Sequence, residues 1–302
     1  MGRFDERATQ PARGPRDILR WKLGKKDPTD TSLDGVRPAV ADGGAEALRD
    51  RECAVWIGHA TWAFRMAGKL VVIDPIWSTS ISGTVRRLIP PGVELAAMPD
   101  VDIVLVTHDH RDHMDLPTLA KLPHAATYIV GAGNGERMRD LGHDKVVELD
   151  WWDAHVIDEL SITFVPARHW SMRMPWDRNQ TLWGGFVVRG PRGAVYHSGD
   201  TAWGDHFAEI ADRAGPIDWA MLPIGGYSPR WFMESQHIDP EEAGRAFDAL
   251  RARHLLAMHW GTFRLTDESI GEPVARLRTW WQERGLSDER LWIPAVGEPR
   301  AL

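Results

Sequence analysis

The sequence holds a single cysteine, Cys53, in 302 residues. That excludes a disulfide framework and any cluster of thiolate metal ligands, so a bound metal must be held by nitrogen and oxygen. No run approaches the roughly 18 apolar residues that a membrane-spanning helix needs. The opening residues, MGRFDERATQPARGPRD, lack the apolar core of a secretory signal. Glu6 stands where an N-myristoylation signal carries Ser or Thr. A basic surplus is missing too: 36 Lys and Arg face 43 Asp and Glu, a net charge of −7. A general nucleic-acid binder would usually carry a basic stripe, so that class is disfavoured. Tyrosine is scarce, three against sixteen tryptophans, and the surplus indole is read mainly as core filling, with some left to line a pocket. These absences predict a cytoplasmic protein, with peripheral contact at the inner membrane face as the alternative.

What is present begins with an uneven charge distribution. Residues 1–26 hold eight Lys and Arg and three Asp and Glu, so the segment is +5 and the remainder −12. Within it, DILRWKLGKK sets Ile18, Leu19, Trp21 and Leu23 among basic residues. That pattern suits a membrane-surface helix or a short helix docked on the domain. Residues 27–50 read as loop, so 1–50 form an N-terminal extension and 51–302 one large domain. Hydrophobic content of 43% supports a substantial core.

From Cys53 the chain reads as short strands, CAVWIG, TWAFRMA and KLVVID, with a hairpin turn at Gly68-Lys69. A long loop over 75–100 follows, then the buried strand VDIVLVT. Further strands are LSITFVPA, GAVYHSGD, WAMLPIG and HLLAMH, with helices between the later ones. IDPEEAGRAFDAL has the marks of a capped helix: Asp239 as N-cap, Pro240 first in the helix, Glu242 three after the cap. Strands in two batches with helices interspersed predict packed sheets with helices outside, in one α/β domain.

The stretch THDHRDHMD, 107–115, crowds three histidines and two aspartates directly behind an apolar strand. Alternate residues of an extended segment share a side, so His108 and His110 point together. Asp112 and His113 curve to a neighbouring point, which suits two adjacent metal positions. His169, Asp200 and His259 also stand at predicted strand ends and complete a ligand pool. His59 and His197 are read as partners that orient ligands. His124, His143, His155, His206 and His254 are read as structural.

HDHRDH, RHW, HSGDT and MHWGT, in this order, resemble the metallo-β-lactamase superfamily, whose hydrolases have an αββα sandwich. The resemblance implies that His108, His110 and His169 hold one ion. Asp112, His113 and His259 would hold a second, with Asp200 bridging. Zinc suits these donors, with manganese and iron as alternatives. WIGHAT, DPIWS, VVELDWWD, SPRWFM and QHIDPEEA are similar to the N-acyl-phosphatidylethanolamine-hydrolysing phospholipases D. That likeness implies metal-assisted hydrolysis of a phosphodiester, with N-acylethanolamine and phosphatidic acid as products. Asp112, Asp200 and His237 are the expected catalytic residues. Gln236, His237, Arg111 and Trp231 are the expected substrate contacts, and Trp231-Phe232-Met233 is an apolar run, on a loop rich in Gly, Pro and Ser, that an acyl chain could use. Mammalian members carry tyrosine where this chain has Arg111, whose guanidinium can bind a phosphate. The expected partners are a phospholipid substrate, a membrane surface and a second copy of the chain, with no nucleic acid. A lactonase of the ascorbate-phosphate or homoserine-lactone type, using the same dimetal site, is the alternative reading. A lipid-binding module with a structural metal is disfavoured, since structural zinc is usually four-coordinate and closed.

Overall fold

A computed structural model describes residues 2–8, 13–24 and 31–302. Lys25 and Lys26 of the basic segment, and residues 27–30 of the expected loop, lie outside the described residues.

The first batch of strands opens with a meander: β1 (Cys53–Gly58), β2 (Thr61–Met66) and β3 (Lys69–Ile73). A two-stranded excursion, β4 (Ser80–Ile81) and β5 (Val85–Arg86), interrupts the long loop. Three parallel neighbours of β3 follow, β6 (Ile103–Val106), β7 (Thr127–Gly131) and β8 (Val146–Leu149). The second batch repeats the plan. β9 (Ala154–Ile157), β10 (Leu160–Val165), β11 (Gly185–Gly190) and β12 (Gly193–His197) form an antiparallel meander. β13 (Trp219–Pro223), β14 (His254–Met258) and β15 (Leu291–Trp292) then add in parallel. A last strand, β16 (Pro299–Ala301), returns to pair with β1, so each sheet has seven strands. Antiparallel meander followed by parallel crossovers is thus used twice, although the sequence shows no repeat.

Residue alternation explains the layering. In β1, Ala54 and Trp56 face the other sheet, where they meet Phe164, Phe186 and Val195 in one large core. Cys53, Val55 and Ile57 face the opposite way into a second cluster with Leu48, Leu119 and Met138. Those three come from helices α2 (Gly44–Asp50), α3 (Leu116–Leu119) and α4 (Gly135–Asp140). On the far side, α5 (His206–Ala214), α7 (Pro240–Leu250) and α8 (Glu272–Glu283) close the αββα sandwich through Phe207, Phe247 and Trp281. The expected architecture is therefore the observed one. Nine of the sixteen tryptophans are buried, so core filling accounts for most of them.

Three local expectations need correction. The hairpin turn falls at Ala67-Gly68, because Met66 pairs with Lys69 and both turn residues take positive φ, 49° and 75°. Residues 44–50 are helical, and Ala47 and Leu48 are wholly buried, so this part is not the loop expected of it. Residues 230–233 form α6, a short helix in which Phe232 and Met233 are buried.

The N-terminal segment folds back as α1 (Pro15–Leu23). Trp21 anchors it: the indole lies 5.0 Å from the Phe232 ring and its Nε1 donates to Asp267 at 2.7 Å. Ile18, Leu19 and Leu23 stay exposed, Leu23 by 78%. Docking is therefore observed, and the docked helix still presents apolar residues outward.

Candidate dinuclear metal centre

Four strand ends from the two sheets meet at one edge of the sandwich. The loop after β6 carries His108, His110, Asp112 and His113, and its chain turns helically, with His113 and Met114 N–H groups donating to the His110 carbonyl. The segments after β10, β12 and β14 bring His169, Asp200 and His259. All seven expected ligands converge. One ligand atom each from His108, His110, His169 and Asp200 lie within 4.8 Å of one another, as do those from His59, Asp112, His113 and His259. Asp200 spans the two groups. Its Oδ2 is 3.9 Å from His108 Nε2 and from His169 Nε2 and 3.2 Å from His113 Nε2, while Oδ1 is 3.3 Å from His259 Nε2.

The donor chemistry fits a pair of cations. His110 Nδ1 faces both His108 Nε2 at 2.9 Å and His169 Nε2 at 3.1 Å, three imidazole nitrogens pointed at one place. In the second group His113 Nε2 and His259 Nε2 are buried without a hydrogen-bond partner, as is Asp200 Oδ1. Buried polar atoms are rarely left so, and lone pairs converging from three sides call for a positive charge.

On His113, His169 and His108 the opposite ring nitrogen is tied down, which fixes the lone pair toward the centre, whereas His110 Nε2 and His259 Nδ1 are buried without a partner. Asp74 Oδ2 accepts from His113 Nδ1 at 2.7 Å, and both Asp74 oxygens also accept from Thr107, through its amide and its hydroxyl. The Gln236 carbonyl lies 3.0 Å from His169 Nδ1, and Thr107 Oγ1 lies 2.9 Å from His108 Nδ1. His59 Nε2 sits 2.9 Å from Asp112 Oδ2, and its ring lies 4.0 Å from that of His259. His197 works further back: its Nε2 meets the Ala60 carbonyl at 2.8 Å, and its Nδ1 accepts from the Gly199 amide in the turn before Asp200. Glu268 braces the loop beside His259, accepting from the Gly226 and Ser228 amides and the Thr266 hydroxyl.

Backbone strain gathers here. His59, Asp74 and His259 take φ of 56°, 47° and 62°, a region costly for residues with side chains and often populated at functional sites. Gly199, at φ 59°, has no such freedom to be replaced: a Cβ there would lie 2.8 Å from Thr107 Cβ.

Electrostatics divides the histidines. Burial first, then repulsion from neighbouring imidazoles, holds His108 well below the usual range and His169 at about 3. His110 is pushed down to about 4, chiefly by burial. Burial also pulls on His113 and His259, but there Asp200 and Asp112 outweigh it, lifting His113 well up and His259 to about 9. The two carboxyls are held well below the ordinary value: burial works against them, and His113 and its neighbours prevail.

The expected substrate contacts separate. His237 stands at the centre, its Nδ1 unpartnered and 3.8 Å from Asp200 Oδ2. The Gln236 side chain is spent on its neighbours, accepting from Trp170 Nε1 at 2.5 Å and donating to the Phe232 carbonyl at 3.2 Å. Trp170 in turn lies against His110, 4.6 Å between ring centres. Arg111 is exposed and directs its guanidinium at the Arg173 carbonyl, 3.0 Å away. Trp231 is half-buried and packs on Arg20 of α1, 4.2 Å from the ring centre. Sequence reasoning missed Asp74 and Glu268. A carboxylate directly behind the apolar run VVI, like Asp200 behind its own strand, was the available sign for Asp74; Glu268 had none.

Comparison with known proteins agrees with this geometry. Residues 69–260 match the model of the beta-lactamase superfamily domain family. An N-acyl-phosphatidylethanolamine-hydrolyzing phospholipase D of Caenorhabditis elegans is 35% identical over 265 residues, 81% of this chain and 74% of that one. The mitochondrial enzyme of that name from Saccharomyces cerevisiae is 32% identical, covering 80% of this chain and 54% of the yeast protein. Uncharacterized mycobacterial proteins are 42% identical over 74% of this chain, which spans only 62% of their length. Among solved structures, a metallo hydrolase of Ignicoccus hospitalis superposes with TM-score 0.63 at 22% identity, over 82% of this chain and 97% of that one. An isothiocyanate hydrolase from Delia radicum gut bacteria reaches TM-score 0.67 at 23% identity, over 83% and 99%. A motif-bearing loop, a two-sheet sandwich and these matches lead to one conclusion: the chain is a metal-dependent hydrolase of the metallo-β-lactamase superfamily and belongs there to the family of the N-acyl-phosphatidylethanolamine-hydrolysing phospholipases D.

Proposed function

We propose that this hydrolase cleaves the phosphodiester of N-acyl-phosphatidylethanolamine-type lipids, releasing N-acylethanolamine and phosphatidic acid. The likeness to the worm phospholipase D, extending over most of both chains, carries this reading. His108, His110 and His169 would hold one divalent cation and Asp112, His113 and His259 a second, with Asp200 shared; zinc suits this donor set, and manganese or iron are alternatives. Bound there, such a pair supplies a water acidified toward neutral pH and charge neutralisation for the phosphate.

The side chains have separate tasks. Asp200, ionised throughout the neutral range, can accept a hydrogen bond from the attacking water. Asp112 is kept in place by His59. His237, held neutral by burial at about 3, is placed to donate to a phosphate oxygen. Gln236 acts through the residues it positions, His169 and Trp170. Arg111 offers positive charge at the rim, and Trp231 extends the apolar surface for an acyl chain beneath α1. Cys53 is no competing nucleophile: it is buried in β1, and burial pushes its thiol up. A lipid surface is the proposed partner of α1, whose exposed Ile18, Leu19 and Leu23 alternate with Arg16, Arg20 and Lys22.

The test is turnover of N-acyl-phosphatidylethanolamine in mixed micelles by the metal-loaded protein, with products identified by mass spectrometry. Phosphatidic acid and N-acylethanolamine in equal amounts are expected. Intact lipid, from a preparation that opens a homoserine lactone, would transfer the site to carbonyl chemistry.

A further inference from the structure

Beside the metal centre lies a cleft of about 640 Å³ that includes none of the seven candidate ligands. The β4–β5 excursion and the residues leading into it contribute Ser78, Thr79, Ser80 and Ser82 to its lining, and Arg111, Lys121 and Arg173 line it as well. Three cations thus meet one carboxylate, Asp115, in a chain whose net charge is −7. Asp115 is already engaged, its Oδ2 accepting from the Ser78 and Thr118 hydroxyls at 2.6 and 2.5 Å. Arg173 spends one nitrogen on the Asp109 and Met114 carbonyls, 2.8 Å each. Arg111 reaches a carbonyl and the Met174 sulfur, and Lys121 is exposed. Among the described residues none of these three forms an ion pair, whereas Arg230 and Arg276 on α6 and α8 are each paired with acids.

Three cations against one carboxylate leave a surplus of like charge, which opposes folding. A mixed wall of cations and hydroxyls is also a poor bed for an acyl chain. It is a good one for an anion with several acceptor oxygens. Arg111 lies between the ligands His110 and Asp112, so the cleft and the centre share a wall, and its guanidinium points toward the cleft side.

We propose that this cleft is an anion subsite, taking a second negatively charged group, a carboxylate or phosphate, borne by the headgroup of the lipid whose phosphodiester is cleaved. The assignment rests on the phosphodiesterase reading and adds a preference to it: a serine-type headgroup with its carboxylate would be chosen over the ethanolamine type.

Two measurements test it. Isothermal titration of the metal-loaded protein with inorganic phosphate should show two classes of site. Lys121→Ala, which removes an exposed side chain, should weaken one class about tenfold, a loss of about 1.4 kcal/mol, and leave the other. A single class, or two classes indifferent to Lys121, would overturn the subsite. Second, the kcat/KM ratio of N-acyl-phosphatidylserine to N-acyl-phosphatidylethanolamine should exceed one and fall about tenfold in Lys121→Ala. A ratio near one in the wild-type protein, beside a Lys121-sensitive phosphate site, would overturn the headgroup assignment. If neither lipid is cleaved while the second phosphate site is seen, the phosphodiesterase reading fails and the subsite stands.

Discussion

Loading the metal-free protein with zinc near pH 7.5 should release about two protons from histidine. The reasoning starts from the divided electrostatics of the centre. Without cations, Asp200 and Asp112 hold His113 well above its ordinary value and His259 at about 9, so both rings are imidazolium at neutral pH. A metal-ligating imidazole must be neutral, so binding expels both protons. His108, His110 and His169 are already neutral, held well below the usual range, at about 4 and at about 3. They have none to lose. Below the His259 value of about 9, occupancy of the Asp112, His113 and His259 position therefore weakens as pH falls. Two protons per ion correspond to roughly 100-fold per pH unit, or about 2.7 kcal/mol. The His108, His110 and His169 position stays nearly flat until pH approaches the His110 value of about 4. Calorimetric zinc titrations in buffers of different ionisation enthalpy count the protons directly. Stoichiometry after dialysis at successively lower pH should pass from two ions to one before reaching none. Zinc uptake with no proton release, or both ions lost together, would refute the reasoning.

Other consequences are more local. Asp74→Asn keeps the shape but weakens the anchor of His113 Nδ1, and should cost about 10–100-fold in metal affinity by chelator competition; unchanged affinity counts against the anchoring role. Asp239→Ala removes the cap that accepts from the Glu242 amide at 2.8 Å, and should lower stability in urea by about 1 kcal/mol with metal content intact. Trp21→Ala deletes the indole between Phe232 and Asp267, and should speed proteolysis within α1 while the domain stays resistant; equal cleavage rates would show that α1 is held by something else.

The centre was legible because chemistry and spacing coincide there: His108, His110, Asp112 and His113 follow one buried strand, and His169, Asp200 and His259 each end another. The capping box at Asp239 and Glu242 was legible for the same reason, being local. Non-local pairing was not. β16 joins β1 across most of the chain, and nothing in PRA announces a strand. β8 and β9 are half-exposed runs that lack a continuous apolar face. The doubled sheet plan left no trace in sequence because the two halves conserve strand direction and not side chains. At the Ala67-Gly68 turn, alanine concealed a positive φ that glycine would have advertised. Spacing placed Arg111 beside the candidate metal ligands but could not give its direction, which the Arg173 carbonyl sets. Trp231 read as loop and pocket; its contact with Arg20 depends on a helix more than 200 residues away in the chain.

The central claim, hydrolysis at phosphorus by a dimetal centre, is tested most directly by turnover in ¹⁸O water. The zinc-loaded protein is given N-acyl-phosphatidylethanolamine, and the label is located by mass spectrometry. Attack at phosphorus predicts one ¹⁸O in phosphatidic acid and none in the N-acylethanolamine, with the reaction abolished in Asp200→Asn. Label in a released fatty acid, with the phosphodiester intact, would contradict it.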